Sequence, residues 1–130
     1  MSDPEEEKRT YNFNVTQMSD GTLRVLGLLV ALYQDPRSGV IALEEPELTI
    51  HPGMLPLITD SITEISDRTQ VLVTTHSPEL IDRFDPSQII AVELEKGITS
   101  ARPLNAAQVN AVKEKLFSLG ELMSVEGLHG

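Results

Sequence analysis

Three short stretches of this sequence carry side chains whose types and spacing could do chemistry. The adjacent acids Glu44 and Glu45 follow the apolar run Val40-Ile41-Ala42-Leu43 and precede Pro46 and Glu47. Successive side chains of a strand point to opposite faces, so two carboxylates at a strand end can diverge. One can reach a metal ion and the other a water molecule; solvated acids at the start of a loop are the plainer alternative. His76 stands in Thr74-Thr75-His76-Ser77-Pro78, after a second apolar run. A histidine there is either a structural hydrogen-bonder or a catalytic group, and its expected place at the same sheet edge as the acids favours the second. The third stretch, Met18-Ser19-Asp20-Gly21-Thr22, is a small-residue turn opening a helix. Free backbone N–H groups and the helix dipole make such a turn a seat for an anion such as phosphate, although an ordinary N-cap needs the same residues.

The elements that must position these groups can be read from periodicity. Leu23, Leu26, Leu29, Val30 and Tyr33 recur at spacings of three and four, which predicts a helix from Ser19 to about Gln34, ended by Asp35-Pro36-Arg37-Ser38-Gly39. Val40 to Leu43 is a continuous apolar run, as expected of a strand buried on both faces. A second helix is expected from Pro52 through Leu55, Ile58, Ile62 and Ile65, because the fixed φ of proline suits a first turn. Val71 to Thr75 reads as a second buried strand, followed by a turn and short helix at 77–81. Two buried strands joined by a helix imply parallel pairing through a right-handed crossover. Gln88 to Leu94 and Ile98 to Arg102, separated by Glu95-Lys96-Gly97, read as an antiparallel hairpin. Ala106 to Leu119 reads as a closing helix, and the stretch to Gly130 as a frayed terminus whose apolar spacing leaves docking on a neighbour open. The fold class is therefore α/β, and open sheets of this class place ligands at the carboxyl ends of their strands. Both the acid pair and His76 lie there.

Composition narrows the function classes. The chain has 130 residues, 40% of them hydrophobic, and no cysteine, so it can bury a core and holds neither disulfides nor thiolate metal sites. No apolar stretch approaches the roughly 20 residues of a membrane span, and no charged-then-apolar leader opens the chain, so a cytoplasmic setting is expected. A formal charge of −10 repels a phosphate backbone, which argues against direct nucleic-acid binding. Residues 1–10 are charged and aperiodic, a flexible lead-in ahead of one domain over 11–130.

In order, Ser-Asp-Gly-Thr, then an apolar run ending Glu-Glu-Pro-Glu with His-Pro after it, then Thr-Thr-His-Ser-Pro, resembles the C-terminal lobe of ABC-type ATPase heads. Within the AAA family and P-loop NTPase superfamily it most resembles the branch of SMC, RecF and OLD-like proteins. The match runs from about Gln17 to Leu94. The resemblance implies a P-loop NTPase-like partial sheet, with ATP and Mg2+ as cofactors. It implies that Met18 to Thr22 is the signature motif, with Ser19, Asp20, Gly21 and Thr22 near the γ-phosphate of ATP held on an opposing subunit in a head-to-tail dimer. Glu44 would end Walker B and support magnesium, and Glu45 would be the general base. Leu48 to His51 would be the D-loop, and His76 the switch histidine that senses the γ-phosphate.

Asp20 and Thr22 stand where many transporter relatives carry Gly and Gln, and Glu44 stands where they carry Asp; both variants are familiar in the branch named. The larger departure is that the sequence contains no G-x-x-x-x-G-K-[ST], the loop that cradles phosphates. Hydrolysis is therefore expected to need a Walker A-bearing lobe from a partner or from the rest of a longer protein, and the chain by itself to be almost inactive. Two other readings follow from the residues: a metal-dependent hydrolase using Glu44, Glu45, His51 and His76, or a non-catalytic dimerisation module that keeps an ATPase shape. Repair, chromosome handling and defence against phage are not distinguished by these residues. Arg24, one turn beyond the signature, reads as a solvated helix residue or a contact to phosphate or partner.

Overall fold

The structure, a computed structural model, describes residues 12, 14–36, 38–125 and 127–130. The expected lead-in over 1–10 lies outside these residues. Helix α1 (Asp20–Tyr33) starts where expected, with Ser19 as its N-cap and Gln34 as its C-cap. Strand β1 (Val40–Glu44) follows. Pro52–Met54 forms a short 3-10 turn, and helix α2 (Leu55–Ser66) begins only after it, with Pro56 in its first turn, where a missing N–H costs nothing. Strand β2 (Gln70–Thr74) and the short helix α3 (Pro78–Ile81) complete the first half.

Strands β1 and β2 pair in parallel, with Val40 opposite Gln70 and Glu44 opposite Thr74, so the acid pair and the threonine-histidine segment leave the sheet at the same end. Gln70 N–H donates to the Gly39 carbonyl and Glu45 N–H to the Thr74 carbonyl. Both helices pack on this sheet through one core of Val25 and Leu32 from α1, Ile41 and Leu43 from β1, and Ile58, Ile62 and Ile65 from α2. The expectation that these strands are buried on both faces is wrong. In β1 only the alternate residues Ile41 and Leu43 are buried, while Val40 is 56% and Leu72 on β2 57% exposed. Helices of the described chain cover one face, and the apolar residues of the other remain bare.

The second half is a separate two-stranded sheet, β3 (Ile90–Glu95) and β4 (Ile98–Pro103), paired antiparallel. Lys96 and Gly97 form its two-residue turn with φ of 49° and 81°, the left-handed pair that matches strand twist in a tight hairpin. The predicted helix over 106–119 is instead two: α4 (Ala106–Lys113) and α5 (Leu119–Val125). Lys115 takes a left-handed φ of 57°, and Ser118 starts the new helix by accepting from Glu121 N–H while Glu121 accepts from Ser118 N–H. Nor is the end of the chain frayed. Leu119 and Leu122 are buried, Gln108 binds the Gly127 carbonyl and the His129 N–H, and the imidazole of His129 lies 2.6 Å from Glu93.

Candidate functional site

The site is built around the loop that leaves β1. Glu45, the first residue past the strand, has a φ of 42°, and Thr49 a φ of 63°. Left-handed backbone costs a non-glycine residue roughly 1–3 kcal/mol, and such residues persist only where their surroundings hold them. Three contacts hold this loop. Its start is tied to β2 by the Glu45 N–H bond to Thr74. The Glu45 carbonyl accepts from the Arg24 guanidinium at 3.1 Å. The Thr49 carbonyl presses on α1 so closely that a Cβ at Gly21 would lie 2.7 Å from its oxygen.

At the end of β2 a second set of bonds fixes the next turn. Thr75 donates its hydroxyl to Glu47 through a short hydrogen bond and accepts from Ser77 N–H at 2.9 Å. The other carboxylate oxygen of Glu47 is buried and has no hydrogen-bond partner among the described residues. These bonds place His76 on the rim, where its Nε2 is 4.0 Å from Glu45 Oε1; the histidine side chain is 87% exposed and that of Glu45 33%. An open imidazole beside a half-covered carboxylate can meet a ligand arriving from solvent, and the carboxylate can accept a proton from water. Glu44, the last residue of β1, is exposed at the same end of the sheet.

Ser19 makes the cap that the sequence predicts: its hydroxyl accepts from Thr22 N–H at 3.1 Å and lies 2.8 Å from the Thr22 hydroxyl. Ser19, Gly21 and Thr22 line one groove of about 480 Å³ with Thr49 and His51. Asp20 opens the helix in its first turn. The Ser19 turn thus meets the loop through Thr49, whereas His76 lines a different cavity. Glu45 and His76 are neighbours; Ser19 is linked to them through Arg24 and the Gly21–Thr49 contact. His51 accepts from Gly53 N–H at 3.0 Å and caps its own 3-10 turn.

A four-ligand metal centre does not form. His51 and His76 lie in separate cavities, and among the described residues no three His, Asp or Glu side chains are placed to hold a metal ion. One exposed carboxylate at Glu44 is a different matter, because magnesium is commonly held by one or two carboxylates with water and substrate phosphate supplying the rest.

Sequence reasoning missed Glu47 and Thr75, and it weighed Arg24 only as a solvated residue or a contact to phosphate or partner, whereas it binds the Glu45 carbonyl. Arg24 stands one turn past a motif serine, which gives no hint that its guanidinium returns to the loop after β1. Glu47 sits within the quoted Glu-Glu-Pro-Glu, and its pairing with Thr75 across 28 residues becomes visible only when the two strand ends are side by side.

Comparison with known proteins agrees with this architecture. A family model described as "AAA domain, putative AbiEii toxin, Type IV TA system" matches residues 4–82. The Retron Ec83 probable ATPase of Escherichia coli is 23% identical over 127 residues, which cover 88% of this chain and 23% of that protein. Endonuclease GajA of Bacillus cereus (strain VD045) is 32% identical over 79 residues, 59% of this chain and 14% of that one. The chain thus spans less than a quarter of the length of either relative. A solved chain from work on ATP-driven dimerization and DNA stimulated activation of SMC ATPases shares the fold. Its TM-score is 0.59 at 19% identity, over 76% of this chain and 62% of that one.

Proposed function

Because the chain belongs to this AAA domain family, we propose that it forms the part of an ATP-hydrolysing head that activates water and senses the γ-phosphate. The observation that carries the reading is the joint at the strand ends. Glu45 is held in left-handed backbone by Arg24 and the Thr74 carbonyl, with its carboxylate 4.0 Å from the exposed imidazole of His76. In this reading Glu45 is the general base for the attacking water, and His76 donates a hydrogen bond to the γ-phosphate.

Glu44 is the carboxylate that would help hold Mg2+, which when bound neutralises charge on the phosphates. The Ser19 turn and His76 line different cavities, and the helix N-terminus that the turn opens suits the ATP of an opposing subunit. The fold relative is itself described by ATP-driven dimerization, which supports a head-to-tail pair with Leu48–His51 at the joint. Phosphoryl transfer rests on positioning and electrostatics. The loop that cradles the triphosphate is not in this sequence, and it must come from another chain or from further residues of a longer protein.

The test is to supply a phosphate-loop lobe in trans and follow Mg-ATP hydrolysis. Turnover should appear with both parts present and fall by about 10²–10⁴ in Glu45→Gln, as loss of a general base commonly does. Turnover equal in the variant and the wild type would contradict the reading, as would steady hydrolysis by the 130-residue chain alone. Complexes that form with no hydrolysis at all would favour the dimerisation module.

A further inference from the structure

The side chain of His76 is 87% exposed, and its Nε2 stands 4.0 Å from the nearest oxygen of Glu45. That separation is too long for a hydrogen bond. With so little of the side chain covered, the place of the ring is set by the backbone on either side of it.

That backbone is held by a relay of hydrogen bonds. Leu80 N–H donates to the Ser77 hydroxyl at 3.2 Å, Ser77 N–H donates to the Thr75 hydroxyl at 2.9 Å, and the Thr75 hydroxyl donates to Glu47. Valence fixes the direction. A hydroxyl has a single proton and an ionised carboxylate can only accept, so Thr75 receives on one side and gives on the other. Thr75 and Ser77 flank His76, and the relay crosses it without using its side chain.

Glu47 is the member that stands outside this turn, 28 residues from Thr75, on the loop that leaves β1. Its carbonyl accepts from Ile50 N–H at 3.1 Å. Pro46, whose side chain is fully buried, lies between Glu45 and Glu47 and stiffens the chain there. The Glu45 N–H bond to the Thr74 carbonyl also joins the strand ends, but it stops before the turn and leaves residues 75–77 to Glu47. The second carboxylate oxygen of Glu47 is buried with no hydrogen-bond partner among the described residues. Buried polar atoms are nearly always paired, and departures from that rule gather where a site imposes them.

We infer that Glu47 is a positioning residue: through Thr75 it sets where His76 stands relative to Glu45. This rests on the function proposed above, in which His76 senses the γ-phosphate and Glu45 is the general base. One stiff loop then carries the base directly and the sensor through a single hydrogen bond, so the two keep one spacing. Glu47 acts as an acceptor for the Thr75 hydroxyl and does not itself meet the reacting atoms.

The first test needs no nucleotide. In the 130-residue chain, amide hydrogen exchange at Ser77 reads the local opening of the turn. Glu47→Ala leaves Ser77 its own acceptor, the Thr75 hydroxyl, yet exchange at Ser77 should quicken by about tenfold or more while Ile58 and Ile62 in the core stay unchanged. Glu47→Gln keeps an acceptor and should restore most of the protection. Unchanged exchange at Ser77 in Glu47→Ala would overturn the inference, as would an equal gain in Glu47→Gln. Exchange that quickens as much at Ile58 and Ile62 as at Ser77 would assign the bond to the fold as a whole and overturn it too.

The second test uses the head completed by its phosphate-loop lobe. Thr75→Val should slow single-turnover hydrolysis of Mg-ATP by about 10–100-fold, the scale of a small misplacement at a reacting centre, and Thr75→Ser should recover most of the rate. Made in a His76→Ala background, Thr75→Val should cost no more than about twofold further, because losses that act through one group do not add. A loss as large in that background as in the wild type would make the tie structural and overturn the inference. Hydrolysis indifferent to Glu45→Gln sinks the functional reading, while the exchange experiment still decides whether Glu47 holds the turn of His76. Hydrolysis that needs Glu45 yet is undiminished in Thr75→Val sinks only the positioning role.

Discussion

At the scale of single residues, the contacts that matter join groups the sequence keeps far apart. Gly21 is needed for closeness: an added Cβ meets the Thr49 carbonyl at 2.7 Å, a backbone atom that cannot swing aside. Gly21→Ala should therefore destabilise the fold by roughly 1–3 kcal/mol, the usual range for overpacking, as read from urea unfolding. Unchanged stability would mean that the loop and α1 do not touch. Arg24 holds the Glu45 carbonyl at 3.1 Å. If that bond keeps the base aimed, Arg24→Ala should lower hydrolysis in the completed head by about 10–100-fold, the scale of a small misplacement at a reacting centre. Nucleotide affinity should change little, and Arg24→Lys should recover part of the rate. An equal loss of affinity would instead make Arg24 a ligand contact. The motif residues were legible because their types are tied to chemistry. The bonds of Arg24, Glu47 and Thr75 were not, because a hydrogen bond to a distant partner leaves no trace in local spacing.

At the scale of elements, periodicity located α1, both parallel strands and the hairpin, and it failed where chain-specific bonds interrupt a helix. The apolar spacing from Ala106 onward continues across Lys115, yet the left-handed backbone there and the Ser118–Glu121 capping pair divide it into α4 and α5. The end of the chain was misread for a related reason, because its anchor is tertiary. The hydrogen bond from His129 holds the Glu93 carboxyl below its usual value, with Gly130 N–H adding to the effect. A carboxyl lowered on folding contributes stability above its unfolded value and loses it as pH falls through the lowered folded value. The tail over 127–130 should therefore stay docked at neutral pH and release only below the ordinary glutamate range, about pH 4. Amide protection at His129 followed through an acid titration measures this. In Glu93→Gln the acid step should vanish, and an identical step in that variant would show that another group sets it.

At the scale of the whole molecule, the described residues form two small sheets, each with an apolar face open. The run Val40 to Leu43 predicts a strand covered on both sides, yet Val40 is 56% exposed. A continuous apolar run reads the same in a strand covered on both faces and in one whose outer face is bare, so the sequence pattern could not separate the two. No helix among the described residues is long and apolar enough to cross a membrane. The central claim is that the joint at the strand ends is one half of a hydrolytic centre. Single-turnover hydrolysis of Mg-ATP, measured in the head completed by its phosphate-loop lobe and compared between wild type and Glu45→Gln, tests it most directly. The account predicts nucleotide affinity within a few-fold of wild type and a chemical step slowed by about 10²–10⁴. A chemical step of undiminished rate in Glu45→Gln would contradict it.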